Sequence, residues 1–131
     1  MDNVRVLLKA IIMNEEDKFL ILRRPADSHS RPNCWDFPGG NLEFGENAEK
    51  CVRREIEEET TLRVKELRPL HIISELDPKK NIFWIEVGYV CRYDKGKVKL
   101  SAEHCEYRWA SKEEFLKLES ANYLMEFARR I

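Results

Sequence analysis

Little in this chain would staple it, anchor it or attract a polymer. Its four cysteines (Cys34, Cys51, Cys91 and Cys105) are scattered, with no CxxC spacing. That pattern argues against a structural zinc site and reads as reduced thiols, two of them expected in the core. No apolar run reaches signal-peptide or membrane-span length, so a cytoplasmic location is expected. Net charge is only −1, so there is no one-signed field to draw in a nucleic-acid polymer or an anionic membrane. Internal repeats, linkers and low-complexity segments are also missing. What remains is 131 residues, 43% hydrophobic and 36% charged, enough for a single domain, 1–131, with one apolar core.

Against that plain background one stretch stands out, WDFPGGNLEFGENAEKCVRREIEEETTL, from Trp35 to Leu62. An aromatic strand runs into a sharp Pro38-Gly39-Gly40 turn, then an acidic loop, then a helix bearing Arg54, Glu55, Glu58 and Glu59. A helix advances about 100° per residue, which puts Glu55, Glu58 and Glu59 within an arc of about 100° on one face. Like charges that close repel unless a cation lies between them. Oxygen ligands with no histidine or cysteine beside them in that face point to Mg²⁺ or Mn²⁺. The plain alternative is a glutamate-rich helix face that is simply solvated.

The wider frame bears on that choice. Gly40, Glu46, Arg54-Glu55-Ile56, Glu58-Glu59 and Leu62 stand at the spacing of the Nudix box, and the stretch resembles that of the nucleoside diphosphate-linked hydrolases. Thr61 departs from it, occupying a position where the family has glycine. A left-handed residue ending the helix there would cost a β-branched side chain on the order of 1 kcal/mol. Arg23-Arg24-Pro25-Ala26-Asp27-Ser28-His29, ahead of Phe37-Pro38-Gly39-Gly40, is similar to the MutT-type members. Pro78, which lies sixteen residues after Leu62, occurs in both MutT-type and ADP-ribose-hydrolysing members and does not separate them.

The rest of the chain fits an alternating pattern of strands and two further helices. Val4 to Met13 and Lys18 to Arg23 read as a hairpin around the polar Asn14–Asp17 turn, and Trp35 to Phe37 as a short strand. Asn47 is a suitable cap for a helix from Ala48 to about Thr60, with Ala48, Cys51, Val52 and Ile56 as its buried stripe. Leu67 to Leu76 and Ile82 to Tyr93 form a second hairpin around Asp77-Pro78. After an extended Val98 to Leu100 and the strand Tyr107 to Trp109, Ser111 and Glu114 make a capping box for a short helix to about Leu118. Asn122 to Arg130 closes the chain as an amphipathic helix. The expected class is α/β, a mixed β-sheet between helices, and the resemblance implies the Nudix α/β/α sandwich.

Hydrolysis of a phosphoanhydride requires charge neutralisation, an in-line water and a proton acceptor. Glu55, Glu58 and Glu59 are assigned as metal ligands, and the resemblance adds the backbone carbonyl of Gly39. Arg54 braces the carboxylates through charge-assisted hydrogen bonds, Glu46 orients the loop, and Glu43 has no clear role. Glu103 stands where similar proteins keep an acidic residue, as a further ligand or the general base. Glu106 is its rival. Arg23 and Arg24 are candidate phosphate or base contacts, and Phe37, with Leu22, a candidate floor for a base pocket or simply core. Asn122 resembles a MutT-type residue that reads a purine edge, and equally suits a helix cap. The expected substrate is a small nucleotide, most simply a modified nucleoside triphosphate cleaved to monophosphate and pyrophosphate by a monomer or homodimer. The alternatives are an ADP-ribose or nucleotide-sugar pyrophosphatase, and a sensor domain that binds nucleotide without cleaving it.

Overall fold

The computed structural model describes residues 3–131. A seven-stranded mixed sheet forms its middle layer. The strands are β1 (Asn3–Met13), β2 (Phe19–Arg23), β3 (Trp35–Asp36), β4 (Gly39–Asn41), β5 (Arg63–Asp77), β6 (Ile82–Lys95) and β7 (Glu106–Ala110). Their order is β3-β2-β1-β6-β5, with β7 on β2 and β4 on the middle of β1. Only β1 and β6 run parallel, in unbroken register from Asn3↔Ile82 to Met13↔Arg92. The helices are α1 (Ala48–Thr60), α2 (Lys112–Leu116) and α3 (Asn122–Arg129).

Alternation along β1 decides the layering, because successive side chains of a strand leave opposite faces. Leu8, Ala10 and Ile12 point to a core shared with Cys51, Val52 and Ile56 of α1. Ile11 and Met13 point the other way, to Phe115 of α2 and Leu124, Phe127 and Ala128 of α3. Helices on both faces make this the expected α/β/α sandwich.

Helix α1 begins at Asn47, whose side chain accepts from the Lys50 N–H at 3.0 Å. It ends at Thr61, which is left-handed with φ 63°. The helix thus keeps the left-handed ending where the Nudix pattern has glycine, and the Thr61 hydroxyl donates to the Lys97 carbonyl. The capping box of Ser111 and Glu114 is present. Strands β5 and β6 are longer than the apolar pattern suggests, since cross-strand pairing carries polar residues along. Residues 98–100 form no ladder. Three cysteines rather than two are buried, Cys34, Cys51 and Cys91, and all four are free thiols. No helix of the described residues is long and apolar enough to cross a membrane.

Candidate active site

The Gly39-Gly40 turn brings α1 against β1. A Cβ on Gly39 would lie 1.9 Å from the Leu8 carbonyl oxygen, and one on Gly40 would lie 2.6 Å from the Glu55 carboxyl carbon. Only glycine lets the strand and the carboxylate approach so closely. The Gly39 N–H donates to Glu59 Oε1 at 2.7 Å, tying the end of α1 to the turn. Beside this junction lies a cleft of about 580 Å³, lined among others by Gly39, Gly40, Glu55, Glu59, Glu103 and Arg24.

Within it, Glu59 is 4% exposed. Burial pushes its carboxyl up to about 8, with Lys9 and the Gly39 N–H opposing and Asp36 and Glu103 adding to the rise. Glu55 is raised too, first by burial and then by Glu58 and Glu103, with Arg54 holding it back. Such shifts mark carboxyls that burial disfavours in the charged form, with neighbouring carboxylates adding to the effect. Glu59, Glu103 and His104 each offer a ligand atom within 4.8 Å of the others. Oxygen donors from Glu55, Glu59 and Glu103 suit a hard divalent cation.

Arg54 sits on the outside of this set. Its guanidinium donates to Glu46 at 3.0 Å, to Glu55 at 3.1 Å and to Glu58 at 3.2 Å. Glu46 also accepts from the Glu43 N–H, holding the loop before α1. Glu58 differs from its two companions: its side chain is 58% exposed and does not line the cleft.

Two features escape a linear reading. Lys9, in the apolar run of β1, is buried and paired with Asp36 at 3.1 Å, and it donates to the Phe37 carbonyl at 3.2 Å. Burial works against its charge, yet Asp36, Tyr123 and Glu59 hold its ammonium above the ordinary lysine range. His104 lies between Glu59 and Asp36, 3.8 Å from each, and neither ring nitrogen has a hydrogen-bond partner among the described residues. The helix face had suggested a site with oxygen donors alone, and His104 places a ring nitrogen beside Glu59 as well. A lone lysine within a strand of valine, leucine and isoleucine was the available signal for the first; His104 offered none.

Four candidates lie elsewhere than expected. Phe37 is fully buried, stacked on Phe115 at 4.8 Å, and belongs to the aromatic core with Phe19. Arg23 faces Glu106 across the β2–β7 ladder and pairs with it at 3.2 Å, away from the cleft, while Arg24 lines it. Glu106 begins β7 and is not on the Glu103 loop. Asn122 is exposed in the first turn of α3 and does not line the cleft; the cap is Ala121, so Asn122 does not serve as one.

A mixed sheet between helices thus carries an acidic helix edge at a Gly-Gly turn, a wall that suits a divalent cation. The NUDIX domain pattern matches residues 5–130, and the chain belongs to that family of pyrophosphohydrolases. It is 36% identical to the 8-oxo-dGTP diphosphatase of Escherichia coli K12 over 78 residues, 57% of this chain and 60% of that protein. It is 31% identical to the asymmetrical bis(5'-nucleosyl)-tetraphosphatase of Rattus norvegicus over 112 residues, 80% of this chain and 71% of that one. A MutT protein from Methanosarcina mazei Go1 superposes with a TM-score of 0.82 at 31% identity, covering 98% of this chain and 93% of its own.

Proposed function

We propose that the cleft hydrolyses a nucleoside triphosphate, releasing a nucleoside monophosphate and pyrophosphate, with Mg²⁺ as the cofactor and Mn²⁺ as a substitute. The observation that carries this reading is the convergence of Glu55, Glu59 and Glu103 on one cleft that Arg24 also lines. Carboxylates and a polyphosphate repel, so this wall accepts substrate only with a divalent cation between them. Glu55, Glu59, Glu103 and the Gly39 backbone would hold that cation, with Glu58 as the outer carboxylate. When bound, it neutralises phosphate oxygens and acidifies a water. Arg54 keeps Glu55 and Glu58 in register, and Arg24 receives phosphate charge. Glu103, exposed on the loop before β7, accepts the proton of the attacking water.

The E. coli relative's name supports a triphosphate, including an oxidised one. The rat relative, matched over more of the chain, favours a second reading, a dinucleoside polyphosphate. One assay separates them: nucleoside triphosphates, 8-oxo-dGTP, a dinucleoside tetraphosphate and ADP-ribose are incubated with Mg²⁺ and the products resolved. Monophosphate and pyrophosphate from triphosphates are expected. Cleavage of the tetraphosphate or of ADP-ribose alone would replace this reading with the corresponding one. Tight binding without any product would make the domain a nucleotide sensor.

A further inference from the structure

The cleft continues into a second cavity of about 580 Å³, the two sharing Leu7, Arg24, Ser30, Asp36 and Asn41. This inner cavity lies on the α3 side of the sheet, where Trp84 and Glu86 emerge as alternate residues of β6. Tyr123 of α3 lines it as well. Glu86 is 3% exposed, and its Oε1 has no hydrogen-bond partner among the described residues. A buried carboxylate oxygen without a donor is a costly arrangement for a fold to keep. No residue of the metal-binding set uses Glu86, and its strand neighbour across the parallel ladder is the apolar Leu7.

Resting on the nucleotide reading above, we propose that this second cavity receives the nucleobase, and that Glu86 selects guanine by accepting hydrogen bonds from its N1–H and 2-amino group. The argument is one of matching edges. A carboxylate presents two acceptors and no donor. Guanine alone among the common bases places two donors side by side on its Watson–Crick edge. Adenine and cytosine set one donor beside an acceptor, and uracil and thymine flank one donor with two acceptors. Each of those would face a carboxylate with a lone pair. Trp84 and Tyr123 supply aromatic surface of the kind on which bases stack.

The electrostatics agree with the geometry. Burial pushes Glu86 up to about 7, with Glu75 adding to the rise and Arg31 opposing it. A pair of N–H donors favours the ionised form and reverses that shift. Oxidation at C8 leaves N1–H and the 2-amino group in place, so guanine and 8-oxoguanine satisfy Glu86 alike. This assigns to Glu86 the base-reading role that the sequence pattern had suggested for Asn122.

The test compares GTP with ITP, which lacks only the 2-amino group, and with ATP and CTP, in the wild type and in Glu86→Gln. The wild type is expected to favour GTP over ITP by roughly tenfold or more in kcat/KM, and the variant to bring that ratio toward one. Equal wild-type values for the four nucleotides, or an unchanged GTP-to-ITP ratio in the variant, would overturn the proposal. Calorimetric binding of GMP, IMP and AMP without metal makes the outcome independent of hydrolysis. If no triphosphate is cleaved but GMP binds preferentially in the wild type and not in Glu86→Gln, the hydrolase reading fails and the guanine reading stands. Should Glu86→Gln fail to fold, the wild-type preference for GMP over IMP decides alone, and its absence sinks the idea.

Discussion

Two clusters of charge border the Gly39–Glu59 cleft, and they are built in opposite ways. The outer one joins Arg54 to Glu46, Glu55 and Glu58, residues of a single loop and helix, and its arginine side chain is 40% exposed. The inner one gathers Lys9 from β1, Asp36 from β3, Glu59 from α1 and His104 from the loop before β7, and all four are buried. Exposed pairs contribute little individually because water competes for both partners. Buried charges must be matched, since an unmatched one forfeits its hydration with nothing in return. The outer cluster can therefore be altered with small effect on folding, while the inner cluster cannot.

The sharpest way to break that contrast is Lys9→Met. It strands Asp36, whose carboxyl the neighbouring Lys9, with His104 and Arg24, holds below the usual range despite burial. A loss of about 3–5 kcal/mol in urea unfolding is expected. A loss below about 1 kcal/mol would show that the buried pair is dispensable.

Glu59→Gln comes next. It should lower kcat by a hundredfold or more, about 2.7 kcal/mol of barrier, in a steady-state assay with Mg²⁺. Undiminished turnover would remove Glu59 from the catalytic set.

Acidity separates the clusters further. The carboxyl of Glu59 rises from 4.5 to about 8 on folding. A raised folded value means the folded state binds the proton more tightly, so this stabilisation is complete below 4.5 and disappears as pH climbs through 8. Glu86, raised to about 7, has the same sign. The melting temperature of the metal-free protein should therefore fall between pH 4.5 and 8, and Glu59→Gln should flatten the upper part of the slope. A melting temperature that rises across this window would contradict the burial of both groups.

Arg54→Ala tests the outer cluster. Stability should change by under about 1 kcal/mol, while turnover falls because Glu55 and Glu58 lose their common brace. The smallest effect is expected at Thr61→Gly. Relief of left-handed strain is offset by loss of the bond from the Thr61 hydroxyl to the Lys97 carbonyl, leaving a net change within about 0.5 kcal/mol. A thermal melt showing a larger loss would mean the hydroxyl bond outweighs the strain.

What could be read in advance follows the range of the interactions involved. The spacing of Glu55, Glu58 and Glu59, the Asn47 cap, the left-handed Thr61 and the buried stripe of α1 all depend on residues within a few turns of one another. Helical periodicity and capping chemistry therefore determined the carboxylate face, the cap and the stripe, while the ending at Thr61 was what the family resemblance implied. The same holds for the two apolar faces of β1, which alternate to either side of the sheet and dictate a sandwich.

The inner cluster and the second cavity depend on tertiary structure alone. Lys9 is charged inside a strand, and only the placement of β3 on the far side of β2 brings Asp36 to it as a partner. His104 reaches Glu59 from 45 positions along the chain, a closeness that no period encodes. Phe37 and Asn122 looked like base contacts by their neighbours in sequence, yet core packing buried the first and the start of α3 turned the second to solvent. Nothing in the sequence singled out Glu86, and the register of β6 between β1 and β5 buried its side chain beside the second cavity. Local pattern determined which groups this protein has; the pairing of distant strands decided which of them must meet away from water.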